Sequence, residues 1–74
     1  MRKTIPTDGA AIRRRRILAG HTTYGLATLA EISQGHLVHI EHGRRFGTPP
    51  VLKRIADALG CGISDIVHED QLVA

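Results

Sequence analysis

The sequence has 74 residues, which is enough for one small domain with a single modest core. Its one cysteine excludes an internal disulfide and favours a reducing compartment such as the cytoplasm, and no apolar run approaches the roughly 18 residues that span a membrane. The formal net charge of +3 favours an acidic partner, whereas one tyrosine and one phenylalanine argue against a stacking platform for single-stranded nucleic acid.

Two short helices are predicted before residue 31. Asp8 can cap a helix that continues to about Ala19, and Gly20 ends it because glycine adopts the left-handed conformation without strain. Thr22 can cap a second helix, which ends near Ala30. The apolar stripe of this second helix consists of Leu26, Ala27 and Ala30.

The third predicted helix covers residues 34–41. Ser33 is the strongest N-cap residue of the chain, because its side-chain oxygen can accept from the free N–H groups of the first turn. Leu37 and Ile40 are three residues apart and therefore face the core together. Gly43 ends this helix, and His36 and His39, with Gln34 and Gly35 of the first turn, fall largely on the remaining faces.

The remaining apolar residues predict a fourth helix and a short fifth one. Pro49 and Pro50 suit the first turn of a helix, where the missing N–H is not needed, and Gly60 ends it. Its core stripe is Val51, Leu52, Ile55, Ala56 and Leu59. The last short helix runs through Ile63, Ile66 and Val67.

No alternating pattern typical of strands is present, so the sequence predicts an all-α fold, a compact bundle of four to five short helices. We expect a single domain over 1–74, with its core at about 8–67. The residues on either side, 1–7 and 68–74, are expected to form a flexible N-terminal arm and tail.

The second and third helices are joined by only about three residues. Two short helices connected in this way form a helix-turn-helix, whose second helix enters the DNA major groove with its N-terminal residues foremost. Gln34 stands at that leading end, where its amide can bond adenine N6 and N7 together, and Val38 is placed to touch a thymine methyl group. The expected base contacts are Gln34, Gly35, Val38 and His39. The expected phosphate contacts, which fix register, are Thr22, Thr23, His36, His42, Arg44 and Arg45.

Several spaced motifs carry a resemblance to a known family. They are Ala19-Gly20-x-Thr22, Leu26-Ala27, Ile32-Ser33-Gln34, the segment IEHGRR at 40–45, and IADALG at 55–60. With them, residues 9 to 67 resemble the Xre-type helix-turn-helix family, which includes the Cro proteins and lambdoid phage repressors. The resemblance implies a lambda-repressor-like DNA-binding fold, with base reading by the residues at Gln34, Gly35 and His39. It also implies that Arg16 pairs with Glu41 inside the fold.

The chain departs from this family at two positions. The family usually has glutamine where Thr23 stands, and threonine reaches less far toward a phosphate. It usually has glycine in the turn where this chain has Glu31. Because a positive φ is uncommon for other residues, we expect either strain at Glu31 or a different turn.

The histidines at 36, 39 and 42 allow three interpretations: a metal site, a solvated face without a role, or a surface that faces nucleic acid. Residues six apart diverge around a helix, and no cysteine or carboxylate joins them at zinc-site spacing, so no metal or other cofactor is expected. Ser33, His36 and Glu41 suggest a catalytic triad, but Ser33 is better explained as an N-cap and Glu41 as the partner of Arg16. No catalytic residue is therefore expected, and the protein is not predicted to be an enzyme.

These features predict a sequence-specific regulator of transcription that binds double-stranded DNA, as a Cro-like or phage-type repressor occupying an operator in the cytoplasm, at the nucleoid. Half-sites lie about 34 Å apart, so a homodimer is expected. The candidates for its contact are the exposed apolar residues among Ile63, Ile66, Val67, Leu72 and Val73. No membrane or small-molecule ligand is expected. The alternative is a protein-interaction module of the same fold, antitoxin-like or coactivator-like.

Overall fold

The structure, a computed structural model, describes residues 3–71. Within this part of the chain there are four α-helices: α1 Gly9–Leu18, α2 Thr23–Leu29, α3 Gln34–Glu41 and α4 Pro49–Leu59. Two three-residue 3₁₀ helices follow, at Ile63–Asp65 and Glu69–Gln71. The predicted all-α bundle is confirmed, and α3 has the predicted bounds. No helix of the described residues is both long and apolar enough to cross a membrane.

The N-cap residues act as the sequence predicts. Asp8, Thr22 and Ser33 each accept a hydrogen bond from the backbone N–H three residues further on, at 3.1, 2.9 and 3.0 Å. Such caps satisfy N–H groups that have no partner within the helix. At the start of α4 the side chain of Thr48 makes no such bond, and proline occupies the first turn instead. Local residue chemistry therefore determines where each helix begins.

The core lies where α2, α3 and α4 meet, with α1 packed against α3. Helices α2, α3 and α4 contribute their predicted apolar stripes, with Val51 and Leu59 of α4 only half-buried at the margin, and α1 contributes Ile12. The buried cluster consists of Ile12, Leu26, Ala27, Ala30, Leu37, Ile40, Leu52, Ile55, Ala56, Ile66 and Val67.

The chain near both termini is held by backbone pairing. Ile5 forms an isolated antiparallel bridge with Gly47, and Thr7 forms another with Val67. We call residues 5–7 the N-terminal strap. It lies between the loop that precedes α4 and the C-terminal segment, so this part of the expected arm packs on the domain.

The expected fifth α-helix is only a single 3₁₀ turn. Ile66 leaves the helical conformation, with φ −126°, and its carbonyl accepts from the N–H of Asp8 at 2.9 Å. The N–H of His68 donates to the carbonyl of Pro6, also at 2.9 Å. Pairing with the chain near the strap thus replaces the hydrogen bonds that would continue a helix.

The expected dimer surface near the C-terminus is wrong for two of its residues. Ile66 is fully buried and Val67 is 7% exposed, and both belong to the core of their own chain. Ile63 is half-buried against the same core. The other two candidates, Leu72 and Val73, lie outside the described residues. Apolar residues at 66 and 67 are therefore used for folding and are not available to a partner.

Candidate nucleic-acid interface

Helix α3 presents two different faces. Leu37 and Ile40 are fully buried on its inner side. On its outer side Gln34, Gly35 and His39 are exposed, while Val38 is half-buried. The four residues expected to read bases thus lie on or beside one accessible surface of α3, opposite the residues that anchor the helix.

The turn before α3 is strained at Glu31, which is one of the two outcomes that the sequence predicts. Glu31 has φ 58°, in the left-handed region, and its side chain is exposed. A residue other than glycine in this conformation costs about 1 kcal/mol or more. The N–H of Ile32 donates to the carbonyl of Ala27 at 3.0 Å, which closes the end of α2. The chain therefore makes the turn at the expected place, with strain at one residue.

The first turns of α2 and α3 are joined by a hydrogen bond between side chains. Gln34 Nε2 donates to Thr23 Oγ1 at 2.8 Å. The threonine hydroxyl still has its own proton to donate, and the amide retains Oε1 and one N–H. Although threonine is shorter than the glutamine usual in the family, it is in direct contact with the leading residue of α3. This contact orders an exposed side chain at the N-terminal end of α3.

The loop after α3 positions both arginines expected to bind phosphate. The N–H groups of Arg44 and Arg45 donate to the carbonyl of His39, at 2.9 and 3.3 Å. Both side chains are exposed, as is that of His42, whose Nδ1 lies 2.9 Å from the carbonyl of Val38. Two exposed guanidinium groups thus stand at the C-terminal end of the candidate recognition helix.

An open cleft of about 370 Å³ lies beside α3 and this loop. His36, Arg44 and Arg45 line it, together with Thr4 from the N-terminal segment. The structure therefore brings three of the expected phosphate-contacting residues together. It leaves Thr22 and Thr23 apart from them, at the start of α2. Thr4 was not predicted, since nothing in the local sequence indicates which part of the fold it will meet.

A buried ion pair ties α1 to the end of α3. Arg16 Nε donates to Glu41 Oε2 at 2.8 Å, and Arg16 Nη2 donates to Glu41 Oε1 at 3.2 Å. The side chain of Glu41 is 3% exposed and that of Arg16 is 11% exposed. A third bond runs from Arg16 Nη1 to the carbonyl of His21 at 3.0 Å. Two parallel bonds fix the relative orientation of the two groups, so α1 restrains the pose of α3.

The metal site and the catalytic triad considered for this segment, and the single cysteine, can be compared with the structure. Within residues 3–71, no three histidine, cysteine or acidic side chains are placed as a metal site. The hydroxyl of Ser33 accepts from the N–H of His36, as expected of a cap. Burial raises the pKa of the Cys61 thiol above its ordinary value, which favours the protonated, unreactive form at neutral pH.

A family model described as a helix-turn-helix domain matches residues 9–68. The chain belongs to the helix-turn-helix domain family. The Xre-type helix-turn-helix resemblance is thereby confirmed. A comparison with curated protein sequences finds no match.

Three solved structures show how far the similarity extends. The clp gene regulator ClgR from Corynebacterium glutamicum is 35% identical, with a TM-score of 0.74, and the match covers 77% of this chain but only 61% of the ClgR chain. The restriction-modification controller protein C.AhdI from Aeromonas hydrophila is 23% identical over 77% of this chain and 86% of its own, with a TM-score of 0.74. The DNA-binding domain of the P22 C2 repressor is 20% identical, with a TM-score of 0.75, and the match covers 86% of this chain and 82% of that domain's chain. The last two show the shared fold alone.

Proposed function

We propose that this helix-turn-helix protein regulates transcription by binding double-stranded DNA in a sequence-specific manner. The observation that carries the proposal is the outer face of α3, where Gln34 is exposed at the leading end and held by Thr23 at 2.8 Å. A side chain that is exposed, polar and already ordered is suited to reading a base edge. The 35% identity to ClgR, itself a gene regulator, supports the same role.

Base reading is assigned to the first two turns of α3. The amide of Gln34 can bond N6 and N7 of an adenine together, and Gly35 has no side chain to keep the backbone from the bases. His39 lies one turn further on, and Val38 is placed to meet a thymine methyl group. A bidentate contact of this kind contributes about 1–3 kcal/mol of discrimination against the wrong base.

Phosphate contacts are assigned to the ends of the helices that flank this surface. Thr22 and Thr23 are at the start of α2, and His36, His42, Arg44 and Arg45 are along α3 and the loop after it. Because these contacts carry no sequence information, their role is to set the register of α3 in the groove. The two arginines also contribute salt-dependent affinity, through the release of counterions from the DNA.

We further propose that the protein represses transcription as a homodimer on an operator, in the cytoplasm and at the nucleoid, as a Cro-like or phage-type regulator. A single α3 reads only a few base pairs, and two copies read half-sites about 34 Å apart. The dimer contact uses residues other than Ile66 and Val67, because these two are buried.

The experiment that tests the function is selection of bound duplexes from a random DNA pool, with sedimentation of the protein alone and on the enriched site. We expect a short two-fold-symmetric sequence with half-sites about one helical turn apart. If sedimentation shows a monomer both free and on DNA, the proposed homodimer is contradicted. Weak, salt-sensitive binding with no enriched sequence would contradict sequence-specific regulation.

A protein-interaction role is the second candidate, because α1 exposes two large apolar side chains. Ile17 is 52% exposed and Leu18 is 79% exposed. Both are on α1, whereas the outer face of α3 has only the half-buried Val38 as an apolar residue. If no DNA sequence is enriched, substitution of Leu18 becomes the first test of this alternative.

A further inference from the structure

The N-terminal strap is linked to the loop between α3 and α4 through one buried hydroxyl. The N–H of Ile5 donates to the carbonyl of Gly47 at 2.9 Å. Thr7 Oγ1 accepts from the N–H of Gly47 at 3.0 Å and donates to the carbonyl of Ile5 at 2.7 Å. Thr7 is 3% exposed, so these bonds are shielded from water. Both polar backbone groups of Gly47 are therefore satisfied by the strap.

Gly47 is also held from the side of the core. A Cβ atom at this position would come within 2.8 Å of Leu52 Cδ2, which is closer than such contacts allow, and Leu52 is fully buried. Only glycine lets the loop backbone pass this close to α4. The loop is thus confined between α4 and the strap, which leaves it little room to shift.

The arginines are in the segment between two such anchors. On one side, the N–H groups of Arg44 and Arg45 donate to the carbonyl of His39 at the end of α3. On the other side, Gly47 is fixed by Thr7. Because the backbone is restrained at both ends, only the side chains of the arginines must be ordered when they bind an anion. Such pre-organisation lowers the entropic cost of binding.

The strap also places Thr4 in the wall of the cleft that Arg44 and Arg45 line. Among the described residues, those around this cleft of about 370 Å³ include no carboxylate. The cleft offers two guanidinium groups, the ring of His36 and the hydroxyls of Thr4 and Thr48. Guanidinium and hydroxyl groups are the donors that a phosphate accepts in nucleic-acid complexes.

We propose that Thr4, held in place by the N-terminal strap, completes a phosphate-binding cleft and contacts the same DNA phosphate region as Arg44 and Arg45. Thr7 is the positioning residue that holds the arginine loop. The proposal rests on the proposed function, because the phosphate is assigned to the DNA backbone. A free phosphate ion has the same chemistry, so the test separates the two sources.

The contact is tested with Thr4→Ala and the positioning with Thr7→Val and Thr7→Ser. Affinity for the enriched duplex is measured over a series of salt concentrations, at a temperature where circular dichroism shows every variant folded. Thr4→Ala is expected to weaken binding roughly tenfold, as for the loss of a hydrogen bond to a charged group. Its salt slope stays unchanged because the hydroxyl is neutral.

Thr7→Val removes the hydroxyl and keeps the branched shape. It is expected to lower the magnitude of the salt slope by about 1, the loss of one arginine–phosphate contact. Thr7→Ser retains the hydroxyl and is expected to keep the wild-type slope. Thr28→Val is the matched control, since the Thr28 hydroxyl is exposed and bonds only the carbonyl of Tyr24 within α2. A purely structural role for Thr7 would change the melting temperature without changing the slope.

The results distinguish the possible failures. If the wild-type protein binds no duplex, both the proposed function and this proposal are overturned. If it binds a specific site that Thr4→Ala does not weaken, the assignment of Thr4 is overturned and the function stands. If Thr7→Val folds and keeps the wild-type slope, the positioning role is overturned. Should Thr7→Val not fold, a reduced slope in Thr7→Ser, which keeps the hydroxyl, would overturn that role instead. Inorganic phosphate alone is also titrated into the protein. If it shifts the amide resonances of Thr4 and Arg45 to a plateau while duplex affinity is insensitive to Thr4→Ala, the proposal that the cleft binds a phosphate of the DNA backbone is overturned.

Discussion

The two faces of α3 differ in what determines their residues. On the inner face, Leu37, Ile40 and Glu41 are buried, and each meets a partner from elsewhere in the chain. On the outer face, Gln34 and His39 are exposed and only Gln34 is joined to another helix. The inner face of α3 therefore packs in the core, and its outer face is available for binding. Substitutions on the inner face should affect stability, and those on the outer face should affect binding.

The strongest test of this division is Ile40→Ala. Ile40 is fully buried in the core cluster, and its truncation leaves a cavity there. We expect a loss of about 2–5 kcal/mol in the free energy of unfolding, measured with denaturant. Val38→Ala is the control on the same helix, and it should cost clearly less because Val38 is only half-buried. Equal losses at the two positions would show that the faces are not distinct.

Removing one member of the buried ion pair is expected to have the next largest effect. Arg16→Met leaves the carboxylate of Glu41 in a site where its side chain is 3% exposed. The expected loss is about 2–4 kcal/mol, somewhat below that of a fully buried pair because Arg16 keeps some contact with water. Arg14→Met, on the exposed side of α1, should be nearly neutral. Restored stability in the double variant Arg16→Met, Glu41→Leu would identify the unpaired charge as the cause.

Gln34→Ala tests the outer face. It should weaken binding to the preferred duplex by about 1–3 kcal/mol and relax specificity at one base pair. The melting temperature should hardly change, because the side chain is exposed. Ser64→Ala is the control at an exposed polar position in the 3₁₀ turn after α4. Unchanged specificity in Gln34→Ala would remove this residue from the base contacts.

The smallest expected effect is at the turn that joins the two helices. Glu31→Gly should raise stability by about 0.5–1 kcal/mol, since glycine accepts a φ of 58° without strain. The reverse change at another turn, Gly20→Ala at φ 80°, should lower stability by a similar amount. Thermal unfolding of both variants measures the difference. A less stable Glu31→Gly would indicate that the glutamate side chain contributes more than the strain costs.

The features that could be predicted from the sequence are local ones. Ser33 and Asp8 predict helix starts because a cap acts within three residues, and the spacing of Leu37 and Ile40 predicts the inner face of α3. The pairing of Arg16 with Glu41 came from the family resemblance, since the two residues are 25 positions apart.

The features that escaped prediction join distant segments. The bridge from Ile5 to Gly47 depends on backbone groups that any residue has, so it leaves no pattern in the sequence. Ile66 and Val67 would be apolar whether they packed in the core of their own chain or in a dimer interface. Their sequence therefore does not distinguish the two, and only the fold shows that they are buried in the core. Thr4 reaches the candidate interface only because the strap carries it there.

The central claim, that the outer face of α3 contacts DNA, is tested most directly by mapping amide chemical-shift changes when the enriched duplex is added to the labelled protein. If this face binds DNA, the largest changes are expected at Gln34, Gly35 and His39, with further changes at Thr23 and Arg45. Changes confined to the exposed face of α1, with the amides of α3 unaffected, would contradict it.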